Sequence, residues 1–479
     1  MDRIDEVKAL QQLDRQLTER KKTLEKYDQY LNLEQPLKYM APALQEEFGD
    51  RLTQLVLDLP NVIVEAYESV LDVQGFTLPG GDGTSVAQGS RPGVQGRPGE
   101  AVVPSAAAGI GEQIHQVWMA NGMAQQMPML QTESIGLGNA FIITGPGESA
   151  DDAPLVTVES PMQVVAVRDP RTRRIARALK RWEEEDGSGK IEQWATLYLP
   201  GRRATFVQRG KDWTEDKKKR DEHDGTSTRV VAFPNKQRLL RMDGMPEFAG
   251  VLPTLDAINK MATDMMISGE FHAMPRRFAF GLSKEDFQDE NGKQLSVWQQ
   301  LAGGVWASEA NASEVKVGQF EEADLKVFHD SIKLLLAITF MQVALPSHIS
   351  AFQGDNPTSE PAIKAAEIQK TKRAERKQTF IGGGLVEVMR DCWSVMGRPE
   401  DELRGLEVNW RNPATPTRAQ EADAAVKLVQ AGVIPPQQAR VDLNYSPAQM
   451  RQMDEWDKQN ASDPFLERTM RDTENVDGL

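Results

Sequence analysis

The hydrophobic rhythm of the chain changes twice. Over the first forty residues, acids and bases alternate around Leu10, Leu13, Leu17 and Leu24, the three-and-four spacing of one helical face. Tyr27, Tyr30, Leu31, Leu37 and Tyr39 follow. A second helix is predicted from Glu46 to Leu59, and residues 61–71 (NVIVEAYESVL) suit either a helix or a strand. Residues 79–109 are rich in Gly, Pro, Ser and Ala and bury too little apolar surface to repay ordering, which predicts a flexible insert. Order resumes at 114–123 (IHQVWMANGM). Short strand-like runs then fall at 139–145, 155–160, 163–169, 192–200 and 205–210. Turn signals such as Asp169-Pro170 and Leu199-Pro200-Gly201 separate them, so the middle third is expected to be antiparallel and β-rich. The mixed charges of 211–228 predict a solvated turn or hairpin tip.

The second half returns to helical spacing. Pro246 suits a helix start, where its missing N–H costs nothing. Beyond it Val251, Leu255, Ile258, Ala262, Met265 and Met266 mark one apolar face. Pro275 disfavours helical geometry in the residue before it and ends that helix. A compact segment with strand and loop signals spans 278–320. A second long helix is predicted from Glu321-Glu322, acids that suit the positive end of a helix dipole, with Leu325, Phe328, Ile332, Leu335, Leu336 and Thr339 on one face. Pro346 closes it, and a turn-rich loop to residue 359 leads into a helix carrying Lys364, Lys370, Lys372, Arg373, Arg376 and Lys377. Three glycines at 382–384 are expected to kink or break that helix. Residues 406–410 read as a strand, and helices are expected over 418–431, 437–443 and 448–459 before a polar tail.

Composition narrows the partners. In 479 residues, 71 acids against 56 bases give a formal net charge of −15. Such a chain does not coat nucleic acid through its overall field, so contact with DNA must be local or transient. A single cysteine, Cys392, rules out an internal disulfide and a cysteine-based zinc cluster, and suits a reducing compartment. The N-terminus lacks the apolar core of a signal peptide, and the longest apolar run, 334–345, is too short to span a bilayer. The expectation is a soluble protein made inside the cell, with no membrane partner.

No catalytic constellation emerges. There is no phosphate-binding G-x-x-x-x-G-K-[ST] loop, and GLGNAF (136–141) lacks the third glycine of a dinucleotide fingerprint and reads as a turn before a strand. His115, His223, His272, His329 and His348 lie far apart, with no H-E-x-x-H pair. The acidic run Glu183-Glu184-Glu185-Asp186 reads as hydrated, and Cys392 beside Trp393 as a small core hydrophobe. No catalytic residue, metal or cofactor is predicted, and the chain is not expected to be an enzyme.

The order of the second half (long helix, compact insertion, long helix, loop, basic helix, strand, helical tail) resembles the portal proteins of tailed double-stranded DNA bacteriophages, the actinobacteriophage type in particular. MDGMPEFAGVLPTLDAINKMATDMM followed by HAMPRRFAFGL resembles that family's first stem helix and its exit. GDNPTSEPAIKAAEIQKTKRAERKQTF resembles the segment after its tunnel loop. VNWRNPATPTRAQEADAAVKLVQAGVIP resembles its closing strand and first crown helix, while VWMANGM and LGNAFIITG resemble its wing. The insert at 79–109 departs from the family pattern.

The resemblance implies an α+β portal fold: wing at 1–246, stem helices at 247–273 and 321–345, clip at 274–320, tunnel loop at 346–359. A bent wing helix and strand would fill 360–416, a crown 417–460 and a flexible tail 461–479. It implies a homo-oligomeric ring, typically of twelve subunits, at a unique capsid vertex of the virion, assembled in the host cytoplasm. Double-stranded DNA would be packaged and ejected through the ring. Terminase large subunit and then a head–tail adaptor would dock on it, and major capsid and scaffolding proteins would surround it. The implied tunnel-loop residues are Ser347, His348, Ile349, Ser350, Phe352, Gln353, Asp355 and Asn356, with the basic helix behind them. The clip core would comprise Phe278, Phe280, Trp298, Trp306, Val315 and Val317. Another ring-forming head–tail connector or minor capsid protein is the alternative.

Overall fold

The fold is given by a computed structural model. It describes residues 3–36, 55–78, 109–149, 152–272, 277–280, 316–319, 324–346, 360–414 and 418–461, apart from 186, 188, 211, 224, 444 and 446. The described elements begin with α1 (Arg3–Leu31), α2 (Leu59–Glu68), β1 (Val73–Thr77), α3 (Ile110–Ala120) and α4 (Met123–Leu137). The β-rich stretch holds β2 (Phe141–Gly145), β3 (Leu155–Glu159), β4 (Val164–Arg168), β5 (Ile175–Glu185), β6 (Ile191–Leu199), β7 (Arg202–Arg209), β8 (Asp212–Glu215), β9 (Asp221–Glu222) and β10 (Val230–Ala232). Then come α5 (Leu252–His272), β11 (Arg277–Phe280), β12 (Lys316–Gln319), α6 (Lys326–Val343) and α7 (Glu360–Val395). The last are β13 (Glu407–Trp410), α8 (Arg418–Gln430), α9 (Pro436–Asp442) and α10 (Pro447–Ala461). Mixed helix and antiparallel sheet is thus the observed class. The chain divides into two compact units, Met1–Tyr27, Val64–Glu247 and Glu367–Leu479 in one, Asp28–Ile63 and Phe248–Ala366 in the other.

In the first unit, strands β4 to β8 form one antiparallel sheet in sequence order, with β9 also paired to β7. Side chains alternate across a strand, so adjacent residues serve different cores. Leu179, Leu197 and Phe206 meet Leu10, Leu13 and Leu17 of α1 on one face. Ala178 and Tyr198, one residue along, meet Phe141, Ile143 and Val230 of the β10-β2-β3 sheet on the other. Glu6 secures α1 through Arg202 at 3.1 Å and Arg220 at 3.4 Å. The mixed-charge stretch at 211–228 is therefore more built than its composition suggests. It supplies β8 and β9, and Arg220 also grips Glu215 at 2.8 Å. The longest strand, β5, runs through the acids Glu183 to Glu185, where charge conceals the alternation of Leu179, Arg181 and Glu183.

In the second unit, Ile258 and Ala262 of α5 pack on Ile332 and Leu336 of α6. Leu55, Leu57 and Leu59 add to this core, and the Leu57 N–H donates to Asn259 Oδ1 at 3.0 Å. Residues 55–58 are thus not helical, against the expectation of a helix to Leu59; their apolar period is two, and the helix begins where that expectation ended it. Residues 46–54 lie outside the described residues. The buried Tyr30 hydroxyl donates to Asp256 at 2.6 Å. Helix α5 opens at Leu252, after a short 3-10 turn at Ala249–Val251, and not at Pro246. Pro246 precedes a residue whose N–H is committed elsewhere, Glu247 to Ile135 O at 2.8 Å. Helix α6 opens at Lys326, whose N–H donates to Asp324 Oδ1 at 2.9 Å, while Glu321 and Glu322 lie outside the described residues.

The triple glycine does not break α7, which is helical from Glu360 to Val395. A β-carbon on Gly384 would lie 2.5 Å from the Phe233 ring, and one on Gly382 would lie 3.1 Å from Trp410 Nε1. Close approach of helix to neighbours, rather than a hinge, explains the two glycines.

Candidate functional site

The basic helix is the sequence-predicted site that falls most fully within the described residues. Its cations do not share one environment. Lys364 lies on the described backbone of α7. Burial lowers the Lys370 pKa against the opposing pull of Glu367. Lys372 pairs with Glu375 at 2.7 Å on the surface, and Arg376 is exposed. Arg373 and Lys377, one turn apart, turn inward.

They meet Glu247, whose side chain is 1 % exposed. Lys377 Nζ donates to Glu247 Oε2 at 2.6 Å, and Arg373 Nη1 to Oε1 at 3.3 Å. Lys236 Nζ lies 3.0 Å from Oε1 and donates to the Glu247 carbonyl at 2.8 Å. Asn235 completes the shell. Its Nδ2 donates to Glu247 Oε2 at 3.2 Å, and its Oδ1 accepts from Lys377. Lys377 also sits over the Tyr67 ring, 5.0 Å from its centroid. Burial alone would raise the Glu247 pKa; Lys377 and Lys236 outweigh it and hold the carboxyl at about 2. The acid is therefore ionised throughout the physiological range.

This arrangement fixes charge instead of presenting it. Three cations from two segments converge on one buried carboxylate, and the backbone around Glu247 is tied to α4 through Ile135. The sequence reading did not single out Glu247, Lys236 or Asn235. The available signal was a lone acid in the apolar stretch GMPEFAGVLP, since an acid that becomes buried requires a cationic partner.

The other predicted groups are only partly described. Ser347 to Asn356 of the loop lie outside the described residues. Phe278 and Phe280 lie on β11, which pairs antiparallel with β12, and Val317 of β12 is opposite Ala279. Trp298, Trp306 and Val315 lie outside the described residues. Among the described residues, no group of His, Cys, Asp and Glu could hold a metal ion, and no helix is long and apolar enough to cross a membrane. Burial pushes the Cys392 thiol pKa up, so this cysteine is held as an unreactive core residue.

Fold and site together define a mixed α+β scaffold in which buried charge ties one long helix to the loop segments at 235–236 and 247. Residues 10–463 match the family described as phage portal protein, SPP1 Gp6-like. The chain belongs to that family and is by membership a structural portal component of a phage virion. It is 32% identical over 363 residues to the portal protein of Mycobacterium phage D29, covering 73% of each chain. Against the portal protein of Mycobacterium phage L5 it is 31% identical over the same length, again covering 73% of each. Among solved structures it is similar to the neck of an empty GTA particle computed with C6 symmetry, at 11% identity. That match has a TM-score of 0.44 and covers 86% of this chain and 95% of the other. The neck of a native GTA particle computed with C12 symmetry follows at 13% identity, TM-score 0.38, covering 72% and 82%.

Proposed function

We propose that the chain assembles as a ring, typically of twelve copies, at a unique capsid vertex, and that double-stranded DNA is packaged and ejected through its centre. The family match over residues 10–463 carries this reading. Within it, residues 1–246 form the wing, α5 and α6 the stem, 274–320 the clip and 417–460 the crown. Terminase docks on the clip during packaging, and a head–tail adaptor takes that place afterwards. Capsid and scaffolding proteins contact the outer surface.

The charge distribution supports passage over storage. Each phosphate neutralised by a fixed cation adds salt-sensitive affinity, which would hold DNA in place. A chain of net charge −15, with Arg373 and Lys377 already committed to Glu247, keeps fixed cations for DNA few. The loop 346–359 lines the narrowest part of the channel in this reading, and α7 braces it. It carries Asp355 and no Lys or Arg, so DNA slides past without an electrostatic hold.

Electron microscopy of the purified protein tests the architecture: rings with a central hole are expected. Only monomers at micromolar concentration, across salt conditions, would overturn it. Adding Lys at Ser350 and Gln353 should then slow DNA translocation in a salt-dependent way, and unchanged packaging rates at low salt would remove the loop from the DNA path.

A further inference from the structure

The turn between β4 and β5 carries charge that neither the core nor the reading above uses. Residues 168–177 read RDPRTRRIAR, half of them arginine in a chain of net charge −15. Arg171, Arg173 and Arg174 are exposed, and Arg177 is half-buried. Among the described residues no acid pairs with any of these four. Arg177 Nη2 donates to the neutral Gln12 Oε1 of α1 at 3.3 Å. Asp169, the acid next to them in the chain, is turned onto the backbone. Its Oδ1 accepts from the Arg171 N–H at 3.0 Å, the Thr172 N–H at 2.6 Å and the Thr172 hydroxyl at 3.0 Å.

The turn is firmly built. The Arg173 N–H donates to Asp169 O and the Asp169 N–H to Arg174 O, each at 2.8 Å. Pro170 presets its own φ for a turn, and Arg168 Nη1 donates to Arg173 O at 3.1 Å. Arg173 itself sits at φ 61, in the left-handed region where glycine or asparagine ordinarily stands. The turn would form more easily with glycine there, so the arginine serves something other than the turn. A depression of about 640 Å³ lies beside it, with Arg168, Arg177 and Arg202 in its wall. Arg202 is committed to Glu6 at 3.1 Å and Arg168 to bracing the turn, which leaves Arg177 to meet an incoming anion.

The surroundings decide which anion fits. Guanidinium groups match carboxylates and phosphates alike, two N–H groups to two oxygens. No large hydrophobic between Gln163 and Arg177 is exposed, so an acidic protein docking here would lack the apolar centre that protein interfaces bury. Residues 163–177 also contain no aromatic, so the bases of a single strand would have nothing to stack on. The backbone of a duplex needs neither feature. Its contacts are polar, cationic and directed at phosphate.

We propose that the β4–β5 turn holds double-stranded DNA by its phosphate backbone, whatever the sequence, through Arg171, Arg173, Arg174 and Arg177. The inference rests on the reading that this chain works on double-stranded DNA. It adds a grip in the segment read as wing, separate in the chain from the loop 346–359. Four cations per copy make a hold that moderate salt loosens, so DNA is steadied there without being fixed.

The test measures binding of the purified full-length protein to covalently closed circular duplex DNA, which cannot be threaded through a ring, over a salt series. Each neutralised phosphate contributes about 0.9 to the slope of log affinity against log salt. The triple variant Arg171→Ala, Arg173→Ala, Arg174→Ala should therefore lose about 3 from the wild-type slope. Between about 50 and 200 mM salt, the wild type should lose roughly fortyfold more affinity than this variant. Lysine at the same three positions should keep the slope, because the charge remains. Arg173→Gly separates binding from folding: it should raise thermal stability by relieving the backbone, yet lower the slope by about 1. Rings that leave the closed circle unbound at low salt, or a triple variant that binds it as the wild type does, overturn the grip and leave the ring reading intact. Polyglutamate that displaces the circle at equal charge would assign the turn to an acidic protein and also overturn it. A chain that forms no rings but binds the circle through these arginines removes the ring reading and keeps the grip.

Discussion

Glu247 and Asp391 are buried acids of the same compact unit, and their surroundings drive them in opposite directions. Glu247 is surrounded by Lys377, Arg373 and Lys236; burial raises its pKa, but Lys377 and Lys236 outweigh that and hold the carboxyl at about 2. Asp391, on the same helix as Lys377, has Ser227 as a hydrogen-bond partner and Arg229 as the opposing charge. Among the described residues, neither its Oδ2 nor Arg229 Nε has a hydrogen-bond partner. Burial pushes Asp391 up to about 7, with Glu387 and Glu400 adding to the rise. Burial therefore does not by itself determine how an acid behaves. The number of cations that reach it does. One end of the α7 contact is a permanent ionic lock, and the other titrates near neutrality.

The largest effect should come from breaking the lock. Glu247→Gln leaves Lys377, Lys236 and Arg373 close together without their anion, and breaking a buried pair in this way costs roughly 3–5 kcal/mol. Denaturant unfolding measures it, and a loss under about 1 kcal/mol would show that water, not Glu247, compensates these cations. The wild type should display the same interaction in acid. The Glu247 pKa is depressed in the fold, so its contribution is full above the unfolded value of 4.5 and fades as pH falls toward 2.

Asp391 should show the opposite sign. Its pKa is raised in the fold, so the ionised form costs stability most above pH 7, and the cost fades as pH falls from 7 toward the ordinary aspartate value of 3.8. Asp391→Asn should accordingly stabilise the protein by about 2–4 kcal/mol at pH 8, and the gain should shrink steadily toward pH 4. Thermal unfolding of both proteins across that range checks the slope. A gain independent of pH would mean that Asp391 is not the titrating group.

The two acids also mark where sequence reading succeeds and where it stops. The leucines of α1 at 10, 13 and 17 follow a local period, and the structure buries all three on the sheet. Strands β2, β3, β4, β6 and β7 were visible because each is a short apolar run bounded by turn residues. Strand β5 was missed because its pattern is written partly in Arg, Lys and Glu, whose aliphatic stems can cover a sheet while their charges reach water. The Glu247 site could not be assembled from local pattern at all. Arg373 and Lys377 lie 126 and 130 residues from Glu247 in the chain, and only tertiary pairing brings them together. Pattern also located the basic helix but could not tell Lys377, turned inward, from Lys372, turned outward.

Between the lock at Lys377 and the titrating site at Asp391 lie the three glycines, which test whether α7 joins the two as one rigid element. Gly384→Ala should destabilise by roughly 1–3 kcal/mol, since the new methyl would sit 2.5 Å from a ring carbon of Phe233. Phe233 has little freedom to retreat. It is 3% exposed, and its N–H donates to Ala140 O at 2.8 Å while its carbonyl accepts from Ser134 Oγ at 2.8 Å. Calorimetry should show the loss, and a neutral result would place the helix farther from the sheet.

Gly383→Ala carries the smallest effect and the cleanest sign. A β-carbon on Gly383 meets nothing within 4 Å, and the residue is exposed within the uninterrupted helix. No packing term opposes the change, so only backbone entropy and helix propensity remain, and both favour alanine. The gain should be about 0.5–1 kcal/mol. It should also be the same at pH 8 and pH 4, because no titratable group gains or loses a neighbour. That flat profile provides the baseline for the sloping one of Asp391→Asn. If Gly383→Ala instead destabilises, position 383 flexes in the native state, and α7 does not transmit the position of Lys377 to Asp391 as one rod.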